Sequence, residues 1–119
     1  MRVEAGDNVL IAGFIVQGNA NKRLLIRGTG PSLAAFGIAD ALQDPTLQLF
    51  SGTTQLGAND NWPAALAATF AQVGAFPLTS GSRDAALLTT LPAGTTYTIQ
   101  VTGANNTTGE ALVEIYEVF

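Results

Sequence analysis

The stretch PTLQLFSGTTQLGA, residues 45–58, decides the fold class of this chain. Leu47 and Leu49 alternate with polar residues, which is the period-two pattern of a strand with one buried face. The turn-forming sequence Ser-Gly-Thr-Thr at residues 51–54 follows, and Gln-Leu-Gly-Ala then begins a returning strand. The stretch therefore predicts a β-hairpin.

The C-terminal part of the chain continues in the same way. Residues 84–91 predict another strand, and the Pro-Ala-Gly sequence at residues 92–94 predicts a turn. Over residues 97–102, Tyr97, Ile99 and Val101 alternate with threonine and glutamine, so this strand should have one buried and one wet face. After an Asn- and Thr-rich turn at residues 103–109, ALVEIYEVF at residues 111–119 supplies the last strand.

Two segments between the strands differ from this pattern. PAALAATFAQ, residues 63–72, begins with a proline that suits a first helical turn, and Leu66, Phe70 and Val73 recur at helical spacing. Residues 28–44 start with glycine and proline and predict a packed connection with a helical turn.

These patterns together define a fold class. Short strands separated by turns, with one helix, predict an all-β fold, an antiparallel β-sandwich of the jelly-roll or immunoglobulin-like type. We expect seven or eight strands, one short helix around residues 63–72, and a single domain over residues 1–119.

The N-terminal part holds a longer apolar run. NVLIAGFIV, residues 8–16, is nearly unbroken and rich in β-branched residues, which predicts a strand covered on both faces. KRLLIRG, residues 22–28, places Leu24 and Ile26 on one face and polar residues mainly on the other. The two segments are predicted to pair as a hairpin.

The same apolar run is the candidate site for self-association. It either pairs within its own chain, with residues 22–28, or is lent to a neighbouring subunit. The candidate self-association residues are Val9, Leu10, Ile11, Phe14, Ile15 and Val16.

The amino-acid composition of the chain argues against several classes of function. Charged residues make up only 12% of the 119 residues, and the net charge is −4, so nucleic acid is not an expected partner. The 47% hydrophobic content excludes a disordered chain, and no apolar run reaches the roughly 20 residues of a membrane helix. A surface with so little charge indicates an extracellular or cell-surface protein, or one packed within an assembly.

The chain lacks most of the residue types that enzymes use for catalysis. The chain has no histidine and no cysteine, which removes the usual general base, the usual thiol nucleophile and most transition-metal ligands. Glu114 and Glu117 stand three apart on a predicted strand and so point to opposite faces, unlike a glycosidase pair. We expect no enzymatic activity and no cofactor other than calcium.

Calcium is the one metal that the sequence supports. Carboxylate and amide oxygens on a loop are the hard ligands that Ca²⁺ prefers, and Asn59, Asp60 and Asn61 form such a cluster. The alternative is an Asx-turn or a hydrogen-bonded loop that holds Trp62 against the core. Our hypothesis is a weak calcium site at these three residues, helped by Asp84 from across the fold.

Two family resemblances cover most of the chain. DPTLQLFSGTTQLGANDNW, SRDAALLTTLPAGTTYTIQVTG and GEALVEIYEV resemble the bacterial pre-peptidase C-terminal domain, a jelly-roll accessory module of secreted proteins. GFIVQGNANKRLLIRGTGPSLAAFGI is similar to a repeat module, often in tandem, of large secreted proteins of environmental bacteria. The resemblance implies a non-catalytic domain with a role in adhesion, solubility or assembly.

The leading functional hypothesis follows from low charge and the apolar run. It is a self-associating building block of a bacterial extracellular filament, sheath or surface layer, with other copies of the chain as partners. The alternative is an accessory adhesion module of a larger secreted protein that binds an extracellular polysaccharide or a matrix protein.

Overall fold

The computed structural model describes residues 1–4 and 9–119. Three short 3₁₀ helices and one α-helix accompany the strands. The 3₁₀ helices span Pro31–Phe36, Ala64–Leu66 and Ala104–Asn106, and α1 spans Ala67–Val73. The strands found in the described residues are β1 (Arg2–Val3), β2 (Leu10–Ile15), β3 (Lys22–Thr29), β4 (Pro45–Ser51), β5 (Thr54–Asn59), β6 (Ala85–Leu91), β7 (Thr96–Gly103), β8 (Gly109–Glu110) and β9 (Leu112–Glu117).

The strands form an antiparallel sandwich, which confirms the predicted fold class. One sheet has four strands in the order β2-β7-β4-β5, and the opposite sheet has three in the order β6-β3-β9. The short strands β1 and β8 pair with each other at one end. None of the helices in the described part of the chain is long and apolar enough to cross a membrane.

The main core lies between the two sheets, where the strands place alternate apolar side chains. In β4 and β7 the alternation is as expected, with Leu47, Leu49, Ile99 and Val101 fully buried. Burial of such a side chain contributes roughly 1.5–3 kcal/mol. The core cluster comprises Val3, Val16, Leu24, Ile26, Leu42, Leu47, Leu49, Ala85, Leu91, Tyr97, Ile99, Val101 and Ala111.

A second apolar layer covers the outer face of the three-stranded sheet. Helix α1 packs Phe70 against Leu25 of β3 and Ala86 of β6, and the following loop adds Ala75 and Leu78. The short helix therefore lies where residues 63–72 predicted it, preceded by one 3₁₀ turn. As a result, the outer face of one sheet is covered by the chain itself.

The predicted hairpin between the first two long strands is wrong. Strand β2 pairs with β7, from Leu10 opposite Val101 to Ile15 opposite Thr96, whereas β3 lies in the other sheet between β6 and β9. The predicted β4–β5 hairpin is confirmed, with Ser51 opposite Thr54. Gly52 in its turn has a positive φ of 60°, which glycine adopts without steric cost.

The prediction that residues 8–16 are covered on both faces is also wrong. Leu10 and Phe14 pack against the core, but Ile11 and Ile15 on the other face are more than half exposed. The strand covered on both faces is β3, whose residues from Leu24 to Thr29 are all buried. Asn8, at the start of the predicted segment, lies outside the described residues.

Candidate functional site

The sandwich has one open side, where the two sheets separate between β2 and β9. A groove of about 440 Å³ runs there. It is lined by Phe14, Ile15, Val16, Gln17, Lys22, Leu24, Ile115 and Glu117. Among these lining residues, Lys22 Nζ and Glu117 Oε1 form an ion pair at 3.4 Å, and most of the other side chains are apolar.

Each of the two sheets has two edge strands, and the free edge of β6 is occupied by the chain itself. The backbone N–H of Ala86 donates a hydrogen bond to Asn59 Oδ1 at 3.1 Å. The backbone N–H of Trp62 donates to the carbonyl of Asp84, just before β6, at 2.9 Å. Residues 59–62 therefore take the positions that a neighbouring strand would otherwise fill.

Two further edges carry features that natural sheets use against unwanted pairing. Strand β5 has an extra residue, because Leu49 faces Gly57 and Phe50 faces Gln55, which leaves a bulge at Leu56. Strand β9 carries Glu114 and Glu117, and charge on an edge strand also opposes pairing with another chain.

The free edge of β2 has none of these features. Its sequence, LIAGFI, contains no charged residue and no proline, and its register with β7 runs without a shift. No other strand of the described chain pairs with it. Ile11 and Ile15 are 56% and 55% exposed on its outer face. This strand contains most of the predicted self-association residues, with Val9 half-buried before it and Val16 buried after it.

The outer face of the four-stranded sheet is uncharged throughout. None of its strands contains a lysine, arginine, aspartate or glutamate. The registers place Thr46 opposite Thr102 and Gln48 opposite Gln100, and the second of these rows continues to Ile11 on β2. Each of these polar side chains is partly exposed to solvent. In the described residues, no apolar layer like the one that α1 forms on the three-stranded sheet covers this face.

A buried ion pair lies beneath α1. Arg27 of β3 has no exposed side-chain surface, and its Nη2 lies 3.0 Å from Glu114 Oε1 on β9. The guanidinium carbon is 4.3 Å from the ring centroid of Phe76 and 4.8 Å from that of Phe70. Its Nη1 also donates to the Phe76 carbonyl at 2.7 Å. Hydrogen bonds and cation–π contacts thus satisfy this charge within the second apolar layer.

Tyr116 extends the same cluster. Its hydroxyl donates a hydrogen bond to Glu114 Oε2. Burial, together with this hydrogen bond and the nearby charge of Glu114, raises the pKa of Tyr116 above its usual value of 10.0. The phenol therefore stays neutral over the physiological range and serves as a hydrogen-bond donor to the ion pair.

Asp84 is a second buried polar centre. Its side chain is fully buried, and its Oδ1 accepts hydrogen bonds from the backbone N–H groups of Gly30 and Ser32, at 2.8 and 3.2 Å. The hydroxyls of Ser32 and Ser82 both donate to its Oδ2. Asp84 thereby ties the connection after β3 to the segment before β6.

The predicted calcium ligands have protein partners in this arrangement. Asn59 Nδ2 donates to the Asn61 carbonyl at 3.1 Å, while Asn59 Oδ1 accepts from Ala86. Asn61 Nδ2 lies 3.3 Å from Asp60 Oδ1. Within residues 1–4 and 9–119, no group of three or more histidine, cysteine, aspartate or glutamate side chains could hold a metal ion. These contacts make a hydrogen-bonded loop rather than an Asx-turn, because the Asn59 amide donates to the Asn61 carbonyl and its oxygen accepts from Ala86. Calcium binding stays a prediction.

The aromatic residues mostly serve the fold. Trp62 lies 5.2 Å from Phe70 between ring centroids and donates its Nε1 to Ser82 Oγ at 3.2 Å. Tyr97 is buried and donates its hydroxyl to the Pro92 carbonyl. Both rings are therefore engaged in contacts within the domain.

Sequence reasoning missed the role of Arg27. The sequence feature that could have revealed this role is an arginine inside an otherwise apolar stretch, LLIRG. If the strand is buried, that arginine requires a carboxylate partner. The partner, Glu114, is 87 residues further along the chain, so only the register of β3 with β9 reveals the pair.

Comparison of the chain with protein-family models, with curated proteins and with solved structures found no match. The resemblance to pre-peptidase C-terminal domains is therefore still a prediction.

Proposed function

We propose that this domain is a non-catalytic structural module that associates with copies of itself through the free edge of β2. The single observation that carries the proposal is the contrast between the sheet edges. Three are covered, bulged or charged, whereas β2 presents an uncharged, regular edge with two exposed isoleucines. Monomeric β-proteins commonly protect such an edge, because its free N–H and C=O groups pair readily with another strand.

The surroundings of β2 support the same proposal. The outer face of its sheet is uncharged, and the adjoining groove toward β9 is largely apolar. Exposed isoleucines such as Ile11 and Ile15 lose contact with water when a neighbouring strand covers them, which favours association. A charged partner finds no complementary charge on this sheet.

An assembly larger than a dimer needs a second contact surface. We assign that role to the uncharged outer face of the four-stranded sheet, which no part of the described chain covers with an apolar layer. Edge pairing and face packing together would build a filament, sheath or surface layer. The low charged content, 12%, supports an extracellular location, where the subunits pack on several sides.

The experiment is a measurement of molar mass against concentration by light scattering, with electron microscopy of the same samples. We expect the mass to rise with concentration and ordered assemblies to appear at the highest concentrations. A constant monomer mass, with single particles only, contradicts the proposal.

The second candidate is an accessory module that binds an extracellular polysaccharide. The rows of threonine and glutamine on β4 and β7, such as Gln48 opposite Gln100, are the observation in its favour, because amides and hydroxyls hydrogen-bond to sugars. This candidate predicts a monomer that binds an insoluble glycan saturably. Replacement of Gln100 by lysine should weaken that binding, and the exposed substitution Ala35→Lys, on a 3₁₀ helix, is the control.

A further inference from the structure

Resting on the proposed function, we infer that two copies pair their β2 strands antiparallel about a two-fold axis at Gly13. In this register, Ile11 of one copy lies opposite Ile15 of the other, and the two glycines face each other. The two four-stranded sheets become one continuous eight-stranded sheet. The partner is therefore a second copy of this chain, held by main-chain hydrogen bonds and isoleucine pairs.

Side chains of β2 point alternately to the core and to the outer face, and this limits the registers that a symmetric pair of β2 strands can adopt. Leu10 and Phe14 face the core, and Ile11, Gly13 and Ile15 face outward. Residues directly opposite each other in an antiparallel pair share a face, and a slip by one residue sends every side chain to the wrong side. Outward residues must therefore meet outward residues, so the two-fold axis passes through a residue rather than between two.

Among these registers, the one centred on Gly13 places the largest number of apolar residues opposite each other. It places both isoleucine pairs on the outer face and sets Ala12 opposite Phe14 on the inner face. A register centred on Ala12 or Phe14 leaves at least one isoleucine of each copy opposite a glycine. Pairs of β-branched side chains stabilise neighbouring strands more than a pair with glycine does.

Gly13 itself supports this register, because its own fold does not require a glycine there. Its φ is not positive, and an added Cβ would meet only the Tyr97 carbonyl oxygen at 3.9 Å, an ordinary contact. A glycine in a strand interior weakens the strand and often marks a place where another backbone approaches closely. Its position at the two-fold axis agrees with such an approach, and because a side chain there points out of the sheet plane, a substitution at Gly13 does not block pairing with a second β2.

Single-cysteine variants test the register, since the chain has no cysteine of its own. Opposite residues in an antiparallel pair have Cα atoms roughly 4.5–5.5 Å apart, within the range that a disulfide spans. In the proposed register, the Ile11 positions of the two copies are instead at least ~13 Å apart, as are the Ile15 positions. We expect a mixture of Ile11→Cys and Ile15→Cys to form disulfide dimers at least ~5-fold more efficiently than either variant alone.

Two further variants complete the design. Gly13→Cys should crosslink with itself, and its mild steric demand keeps the fold intact, which circular dichroism checks. Ala35→Cys, at an exposed position on the 3₁₀ helix Pro31–Phe36 and outside the four-stranded sheet, is the control and should not crosslink with Ile11→Cys. The mass of the unmodified protein is measured in parallel by light scattering.

The outcomes separate the register from the proposed function. Association of the unmodified protein with selective Ile11–Ile15 crosslinking supports both. Association with Ile11 self-crosslinking, with equal crosslinking of Ile11 to Ala35, or with no crosslinking overturns the register and leaves the proposed function standing. A protein that stays monomeric at every concentration overturns both.

Discussion

Asn59 accepts a hydrogen bond from the backbone N–H of Ala86 at 3.1 Å and so closes the free edge of β6. Replacement of Asn59 by alanine should leave that N–H to solvent and lower the free energy of unfolding by about 1 kcal/mol. Amide hydrogen exchange at Ala86 should become faster. Asn61→Ala is the control, because the Asn61 side chain contacts only the exposed Asp60. Unchanged protection of Ala86 in Asn59→Ala would mean that this edge is closed by other groups.

The buried ion pair gives a second prediction. Arg27→Met should lower the free energy of unfolding by about 3–5 kcal/mol, because Glu114 would remain buried without its partner. The double variant Arg27→Met/Glu114→Leu should recover much of that loss, since no unpaired charge is left. Urea denaturation measures both.

A surface pair serves as the matched control for this experiment. Lys22 and Glu117 lie 3.4 Å apart with both side chains partly exposed, so Lys22→Met should cost at most about 1 kcal/mol. If Arg27→Met lowers the free energy of unfolding no more than Lys22→Met does, the buried ion pair does not stabilise the second apolar layer as described.

The third prediction concerns Asp84. Asp84→Asn should lower the free energy of unfolding by about 2 kcal/mol or more, because a carboxyl oxygen that accepts from Ser32 and Ser82 becomes an amide donor. Since those partners belong to the protein, the loss should be equal in calcium and in chelator. Thermal melting under both conditions measures it.

The same melting series tests the calcium hypothesis. A rise in the melting temperature on adding calcium that Asp60→Asn abolishes would confirm a site at that loop. A rise that only Asp84→Asn abolishes would contradict the hydrogen-bonding role given to Asp84.

The raised pKa of Tyr116 predicts a loss of stability in alkali. The folded protein holds the phenol proton more tightly than the unfolded chain, so this contribution is complete below pH 10 and disappears as the pH rises through the folded-state pKa. Unfolding midpoints in urea from pH 8 to 12 should therefore fall more steeply for the natural protein than for Tyr116→Phe. Parallel curves for the two proteins would show that Tyr116 titrates alike in both states.

The sequence predicted the strands whose burial follows their own polarity. In β4 and β7, apolar residues alternate with threonine and glutamine, and the buried positions are those expected. The hairpin at Gly52 and the helix near residues 63–72 were also predictable, because turn residues and helical spacing are local signals.

The sequence pattern predicted β2 as a strand covered on both faces and β3 as a half-exposed one, and the structure shows the reverse. The polarity of a strand's residues does not reveal which strands lie beside it. The apolar run around Gly13 looks like a central strand, but it lies at an edge with Ile11 and Ile15 exposed. The stretch around Arg27 looks half exposed, but it is central, because Glu114 and two phenylalanine rings satisfy the charge. Both cases depend on contacts between strands far apart in the chain, which no local pattern contains.

Sedimentation equilibrium of three proteins tests the central claim most directly. The natural protein should show a mass that rises with concentration, and Ile15→Lys should remain monomeric, because a lysine on a free edge opposes strand pairing. Ala35→Lys, at an exposed position on the 3₁₀ helix Pro31–Phe36 and outside the four-stranded sheet, is the control and should associate as the natural protein does. Equal masses for the natural protein and Ile15→Lys at every concentration would contradict self-association through β2.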